Sequence, residues 1–366
     1  MSTRQKSMRN IGIIVAMLLP VWGLLRAESE RTGADVAGKT SNLSMNAAQL
    51  RAIEVGDGPR ADIACNADPP DGATQADPLP TYDGTCPVLS PAPAENLIQS
   101  SGRERKFMVA VPTNLSADEK LPVIFLWHWL GGSARSFYEQ GEVQDAVNSQ
   151  RFLAVIPSAR GDLALKWPFL TINTQARMEE EYRFFDDMLA CVAAQYPKVN
   201  RNCVSSTGVS AGAFFTDQIG HGRANRLSSI ISLSGGVGNL IIRPWGNPAH
   251  RLPVMVLWGG PSNGCYGILD IQTMSMALES ALVQRGNFFI ECIHNCGHSE
   301  PPLEPPPGLS KYAAMWQFAF DHPFWLDAGE SPYNETGIPE AFPTWCGIGQ
   351  DGSTPRTGDC PNPPGC

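Results

Sequence analysis

The stretch Asn202-Cys203-Val204-Ser205-Ser206-Thr207-Gly208-Val209-Ser210-Ala211-Gly212-Ala213-Phe214 decides the fold. A strand-like run enters Gly-x-Ser-x-Gly, and an apolar helical start leaves it. This layout reads as a nucleophile elbow. The turn is so sharp that only small residues fit beside the serine, and it lifts the hydroxyl above the sheet. It also aims a helix N-terminus at developing negative charge. The pentapeptide alone is a weak signal in a chain with 35 glycines. Its context strengthens it: strand before, helix after, and Gly297-His298 about 90 residues downstream in the chain order such an elbow requires.

Further strand runs lie at 106–111, 122–127, 152–156, 203–206, 229–233, 254–258 and 288–293. Several are continuously apolar, as parallel strands buried on both faces must be. Helical spacing alternates with them at 180–196, 270–285 and 310–320. In the first of these, Phe184, Phe185, Met188, Leu189 and Val192 share a face. The alternation predicts an α/β fold with a doubly wound, mostly parallel sheet, whose site lies beyond the carboxyl ends of the strands.

The ends of the chain read differently. Arg4, Lys6 and Arg9 precede an apolar run at 11–25, which fits a secretory signal cleaved after Ala27, or an uncleaved anchor. No second apolar run is long enough to span a bilayer. Residues 28–95 are rich in Ala, Asp, Gly, Pro and Ser and read as a linker, with Cys65 and Cys86 available to pin it. A single catalytic domain is expected over 96–327, and 328–366 reads as a Gly/Pro-rich, Cys-containing tail. Ten cysteines behind an export signal suggest disulfides. Cys65 with Cys86, Cys191 with Cys203, and Cys360 with Cys366 are close in the chain, but sequence does not choose the pairing. A net charge of −9 without a basic block argues against a nucleic-acid partner.

A serine hydroxyl needs a base. Ser210 is the expected nucleophile and His298, in the loop after the last strand run, the expected base, with His294 as its competitor. His221 is expected in or just past the elbow helix, and His250 and His322 on the surface. An oxyanion hole needs the N–H of Ala211 and a second from His128-Trp129-Leu130-Gly131-Gly132, given by Trp129 or Leu130. His128 is then structural. The orienting acid is expected at Asp270, with Asn263 or a more distant acid as alternatives. Asp270 could equally be a helix N-cap. Trp129, Trp167 and Phe214 are candidates for an aromatic substrate wall. Cys292-Ile-His294-Asn-Cys296-Gly-His298 has the look of a metal cluster, but no second Cys/His pair complements it, so no metal is expected.

His128-x-x-Gly-Gly, Phe184-Phe185-Asp186-Asp187, Thr207-Gly-Val-Ser-Ala-Gly212, Trp258-Gly-Gly and Gly297-His298 resemble secreted members of the α/β-hydrolase family, of the polyhydroxybutyrate-depolymerase-like and feruloyl-esterase-like kinds. The resemblance covers roughly 96–326. It implies a serine esterase without a cofactor, acting on a small or polymeric ester: a polyester, or acyl groups attached to polysaccharide. Two positions depart from the family pattern. Trp129 stands where a small residue is usual, and the Gly259-Gly-Pro-Ser-Asn263 loop lacks the family's triad aspartate. Two other readings stay open: a catalytically silent secreted binding protein on the same scaffold, and a peptidase of the same fold.

Overall fold

The computed structural model describes residues 64–362 apart from 117, 239 and 266–268. The expected signal segment and the first part of the expected linker lie outside the described residues.

The strands are β1 Asn96–Ser100, β2 Arg103–Ala110, β3 Leu121–Trp127, β4 Leu153–Pro157, β5 Val199–Val209, β6 Ser229–Leu233, β7 Val254–Trp258, β8 Gly264–Cys265, β9 Leu269–Asp270, β10 Phe289–Ile293 and β11 Cys346–Ile348. Among the described residues, nine of them form one sheet in the order β1-β2-β4-β3-β5-β6-β7-β10-β11. Every pair from β4 through β10 is parallel. Antiparallel strands close both ends, β1 and β2 at one and β11 at the other. β8 and β9 form a separate ribbon. This is the expected doubly wound sheet.

Residues of β3 alternate between two cores, as strand geometry dictates. Val123, Phe125 and Trp127 pack on one side with Phe184, Phe185, Phe214 and Phe215. Ile124 and Leu126 pack on the other with Phe152, Trp316 and Phe320. The first side is covered by α3 Gln175–Gln195, α4 Ala211–Gly222 and α5 Ile271–Arg285. The second is covered by α1 Ala134–Gln140, α2 Val143–Gln150 and α6 Ala313–Asp321. A short helix, α7 Tyr333–Thr336, follows.

The segments flanking this core are fastened to it. Cys65 is bonded to Cys203 and Cys86 to Cys191, so residues 64–95 are strapped across β5 and α3. Backbone contacts reinforce the strap: Ala76 N–H donates to Asn202 Oδ1 and Asp77 N–H to the Asn225 carbonyl. At the other end Cys292 bonds Cys346 and Cys296 bonds Cys360. Cys265 is also in a disulfide, and no cysteine is free among the described residues. Nearness in the chain did not decide the pairing; these four bridges join residues 54 to 138 positions apart. Bridges over such long loops remove the most entropy from the unfolded chain in the loop-closure picture. Part of the expected tail, 346–348, is a strand of the sheet.

Candidate active site

Ser210 sits between β5 and α4 at φ 54° and ψ −117°, a backbone strain that a packed frame must hold. Three contacts hold it. Ser210 N–H donates to the Leu233 carbonyl, and the Ser210 carbonyl accepts from Ala213 and Phe214 N–H. Both flanking glycines are obligatory on steric grounds. A Cβ on Gly208 would lie 2.1 Å from the Gly212 carbonyl oxygen, and one on Gly212 would lie 1.9 Å from the Trp127 carbonyl oxygen. The elbow is thus wedged against the end of β3.

His298 Nε2 is 2.9 Å from Ser210 Oγ. Its loop reaches the elbow because two loops interlock without side chains between them. Gly297 N–H donates to the Gly259 carbonyl, and a Cβ on Gly259 would lie 1.9 Å from the Gly297 carbonyl oxygen. Burial lowers the His298 pKa to about 4, so the ring is a neutral acceptor at neutral pH.

Nδ1 of the same ring is 2.9 Å from Asn263 Oδ1. Asn263 is buried at the end of the turn Gly260–Ser262, where its N–H donates to the Gly260 carbonyl and its carbonyl accepts from Ile271 N–H. Its Nδ2 donates to Ser234 Oγ at 3.1 Å. Asp270, the expected acid, stands elsewhere. It is exposed at the N-cap of α5, accepting from Thr273 N–H at 3.1 Å and from Thr273 Oγ1–H at 2.7 Å. Its carboxylate satisfies one of the free N–H donors of the helix start, and the imidazole partner is an uncharged amide.

Among the other expected site residues, Ala211 opens α4, where a helix leaves its first N–H groups unpaired. The Trp129 carbonyl accepts from His128 Nδ1–H at 2.9 Å and from Gly132 N–H at 3.0 Å, which shapes the turn bearing the Trp129 and Leu130 amides. His128 is buried, its pKa lowered to about 4 by desolvation, and Nε2 accepts from Ala159 N–H. Trp129 and Leu130 are half-buried. Trp167 and Phe214 do not line a substrate wall. Trp167 is fully buried edge-on to Trp127, its indole N–H donating to the His128 carbonyl at 2.9 Å, and Phe214 is buried against Phe169. Both occupy the sheet–helix core, where large rings contribute most.

The rival histidines are otherwise engaged. His294 is buried beside Trp345, with Nδ1 accepting from Cys296 N–H. His221 lies in α4, and His250 stacks on Phe324. His322, expected at the surface, is fully buried between the Phe318 carbonyl and Ser331 Oγ. Cys292 and Cys296, which gave the metal-like spacing, are disulfide sulfurs and not free thiolates.

No family model matches the chain. Its sequence is similar to Feruloyl esterase D of Neurospora crassa, 26% identical over 137 residues, covering 37% of this chain and 47% of that protein. The chain thus spans about half the length of the curated relative it matches. Among solved structures, "Crystal Structure of sOPH Native" is similar with a TM-score of 0.57 at 16% identity, covering 74% of this chain and 97% of that one. "Crystal Structure of pOPH Native" has a TM-score of 0.57 at 17% identity, covering 72% and 97%. At such identities the likeness is one of fold.

Proposed function

We propose that this chain, an α/β-hydrolase of the feruloyl-esterase-like and polyhydroxybutyrate-depolymerase-like kind, is a secreted carboxylic-ester hydrolase working through an acyl-serine. The observation that carries the reading is the relay Ser210 Oγ, His298, Asn263, joined by two contacts of 2.9 Å at a strained elbow.

Ser210 Oγ attacks the ester carbonyl carbon while its proton passes to His298 Nε2. The tetrahedral oxyanion takes hydrogen bonds from Ala211 N–H and from the N–H of Trp129 or Leu130. Collapse breaks the C–O bond, and the leaving alkoxide takes the proton back from His298. Water then enters, gives a proton to His298 and bonds the acyl carbon; the C–Oγ bond breaks to release the acid, and His298 returns the proton to Ser210 Oγ. Asn263 Oδ1 accepts Nδ1–H throughout, fixing the tautomer whose Nε2 is free to accept. A neutral orienter is compatible with triad chemistry, as the Cys-His-Asn variants demonstrate. It supplies less stabilisation to the imidazolium than a carboxylate does.

The disulfides support export, since such bonds persist in oxidising compartments. The name of the relative points to a feruloyl ester as the substrate, and the family resemblance adds acyl groups on polysaccharide, with polyester as the second candidate. Purified protein is expected to hydrolyse short nitrophenyl esters and feruloyl esters, and to be labelled at Ser210 by a fluorophosphonate. Turnover equal to that of Ser210→Ala across several acyl lengths would reject the reading.

A further inference from the structure

Beyond β10 the chain runs His294-Asn295-Cys296-Gly297-His298, and Gly297 takes φ 62° between the bridged cysteine and the catalytic base. Glycine restrains its backbone least of all residues, so the direction of the ring depends on what holds its neighbours. On the inner side, His294 N–H donates to the Trp258 carbonyl, Gly297 N–H to the Gly259 carbonyl, and Ser299 Oγ–H to the Cys296 carbonyl. The outer side is held by the tail. Arg356 N–H donates to the Ile293 carbonyl, Arg356 Nη1–H to Asn295 Oδ1 at 2.6 Å, and Asn295 Nδ2–H to the Gly358 carbonyl at 2.7 Å. The Cys296–Cys360 bond closes this clamp two residues before His298.

This bridge differs from the other three described above in its exposure. Cys360 is exposed, whereas Cys65, Cys191, Cys203 and Cys292 are buried, and Cys86 and Cys346 are half-buried. A cation stands beside its inner sulfur: Arg356 Nη1 lies 3.9 Å from Sγ of the buried Cys296. A neighbouring guanidinium stabilises a thiolate, which makes Cys296 the better leaving sulfur when a thiolate attacks Cys360. We infer that the Cys296–Cys360 bridge is a redox gate on the hydrolase: it positions His298 only when oxidised, and it is the first of these four bridges to yield to a small dithiol. The inference rests on the hydrolase reading above. A reagent thiolate bonds Cys360 Sγ, the S–S bond breaks, and its electron pair leaves on Cys296 Sγ. The reagent's second thiolate then displaces Cys360 Sγ and closes its own disulfide. Two electrons thereby pass to the protein, and both cysteine sulfurs take protons from solvent. A disulfide oxidant reverses the sequence. The gate confines full activity to an oxidising compartment, where the bridge persists.

The test is a dithiothreitol titration of the native protein at neutral pH without denaturant. At each step kcat and KM are measured on a nitrophenyl ester, alkylated cysteines are mapped by mass spectrometry, and the fold is followed by near-UV circular dichroism. Cys296 and Cys360 are expected to alkylate before the cysteines of the other three bridges. In step with them kcat is expected to fall at least about tenfold, since a small misplacement of a reacting group costs up to about 10²-fold. KM should stay within about twofold, the dichroism should stay native, and oxidised glutathione should restore kcat. Cys296→Ser/Cys360→Ser is expected to begin at the lowered kcat and not to respond to the same dithiothreitol. Cys86→Ser/Cys191→Ser, which opens the strap instead, is expected to keep the native kcat. A natively folded protein with Cys296 and Cys360 reduced and kcat within about twofold of native overturns the inference. So does another of the four bridges opening first, dichroism lost in step with kcat, or an equal kcat loss in Cys86→Ser/Cys191→Ser. If a double variant does not fold, the titration of the native protein decides alone. A native protein that neither turns over esters nor labels with fluorophosphonate overturns the hydrolase reading instead, and the gate with it, whatever the order of alkylation.

Discussion

The loop after β5 and the loop after β7 each bring one member of the relay to His298, and they are fixed in opposite ways. The elbow is fixed by exclusion. Backbone approaches leave no space for a Cβ at Gly208 or Gly212, so the path of the chain around Ser210 is written in two glycines. The loop after β7 is fixed by attraction. Asn263 is held by hydrogen bonds to Ser234, His298 and its own turn, and of these partners only His298 announces itself in sequence. Steric requirements leave a local signature; hydrogen-bonded positioning leaves a partner list spread over the chain.

The largest expected effect tests the steric half. Gly212→Ala pushes a methyl group into the Trp127 carbonyl and should destabilise the fold by more than about 3 kcal/mol, the range of severe backbone conflicts. A urea midpoint unchanged from native would mean that the elbow is not sterically compulsory. Next comes the hydrogen-bonded half. Asn263→Ala should leave the fold near native and lower kcat by roughly 10²-fold or more, since loss of the tautomer-fixing group in a comparable triad cost about 10⁴. Full activity in a folded Asn263→Ala protein would remove Asn263 from the relay.

A smaller effect is expected in pH dependence. His298 with its pKa lowered to about 4 stays a competent base as pH falls, so kcat/KM should hold to about pH 5 and decline through about 4. Asn263→Asp places a carboxylate beside the ring, favours the imidazolium and should move that decline to higher pH. An acid limb near 6.5 in native protein would contradict the burial argument. Folding is best followed in parallel. His128, His294 and His322 are likewise lowered to about 4 from 6.5, so the unfolded state takes up protons first and stability falls between those values as pH falls. The smallest effect belongs to Asp270. Asp270→Ala should cost about 1 kcal/mol as a lost N-cap, and Asp270→Asn close to nothing, with kcat within a factor of two in both. A kcat loss of 10-fold or more in Asp270→Asn would restore it as an acid acting through a rearranged loop.

Much of the fold was legible in the residues. The apolar runs at 122–127 and 254–258 became β3 and β7 because strands buried on both faces must be continuously apolar. The edges were not legible. β1, Asn96–Ser100, alternates buried and exposed residues over only five positions, and β11 has three, so neither carries enough pattern to stand out from a loop. In the site, Ser210 and His298 were readable from Gly-x-Ser-x-Gly and Gly-His, and Asn263 was visible only as a nearby alternative. The search favoured carboxylates because the chemistry of the imidazolium favours them, which drew attention to Asp270. Trp167 and Phe214 were aromatic at suggestive positions, yet aromatic type says nothing about which side of a sheet a ring faces.

By itself the sequence determined the parallel sheet, the elbow and the two loops that meet there, because apolar continuity and the absence of a Cβ are local requirements that each position either meets or fails. Only the tertiary structure decided which polar group faces His298, which cysteines pair and which rings are core. Each depends on distances between residues far apart in the chain. The Ser234 hydroxyl that accepts from Asn263 lies 29 positions away from it, and the Ser210 hydroxyl that His298 contacts lies 88 positions from that ring.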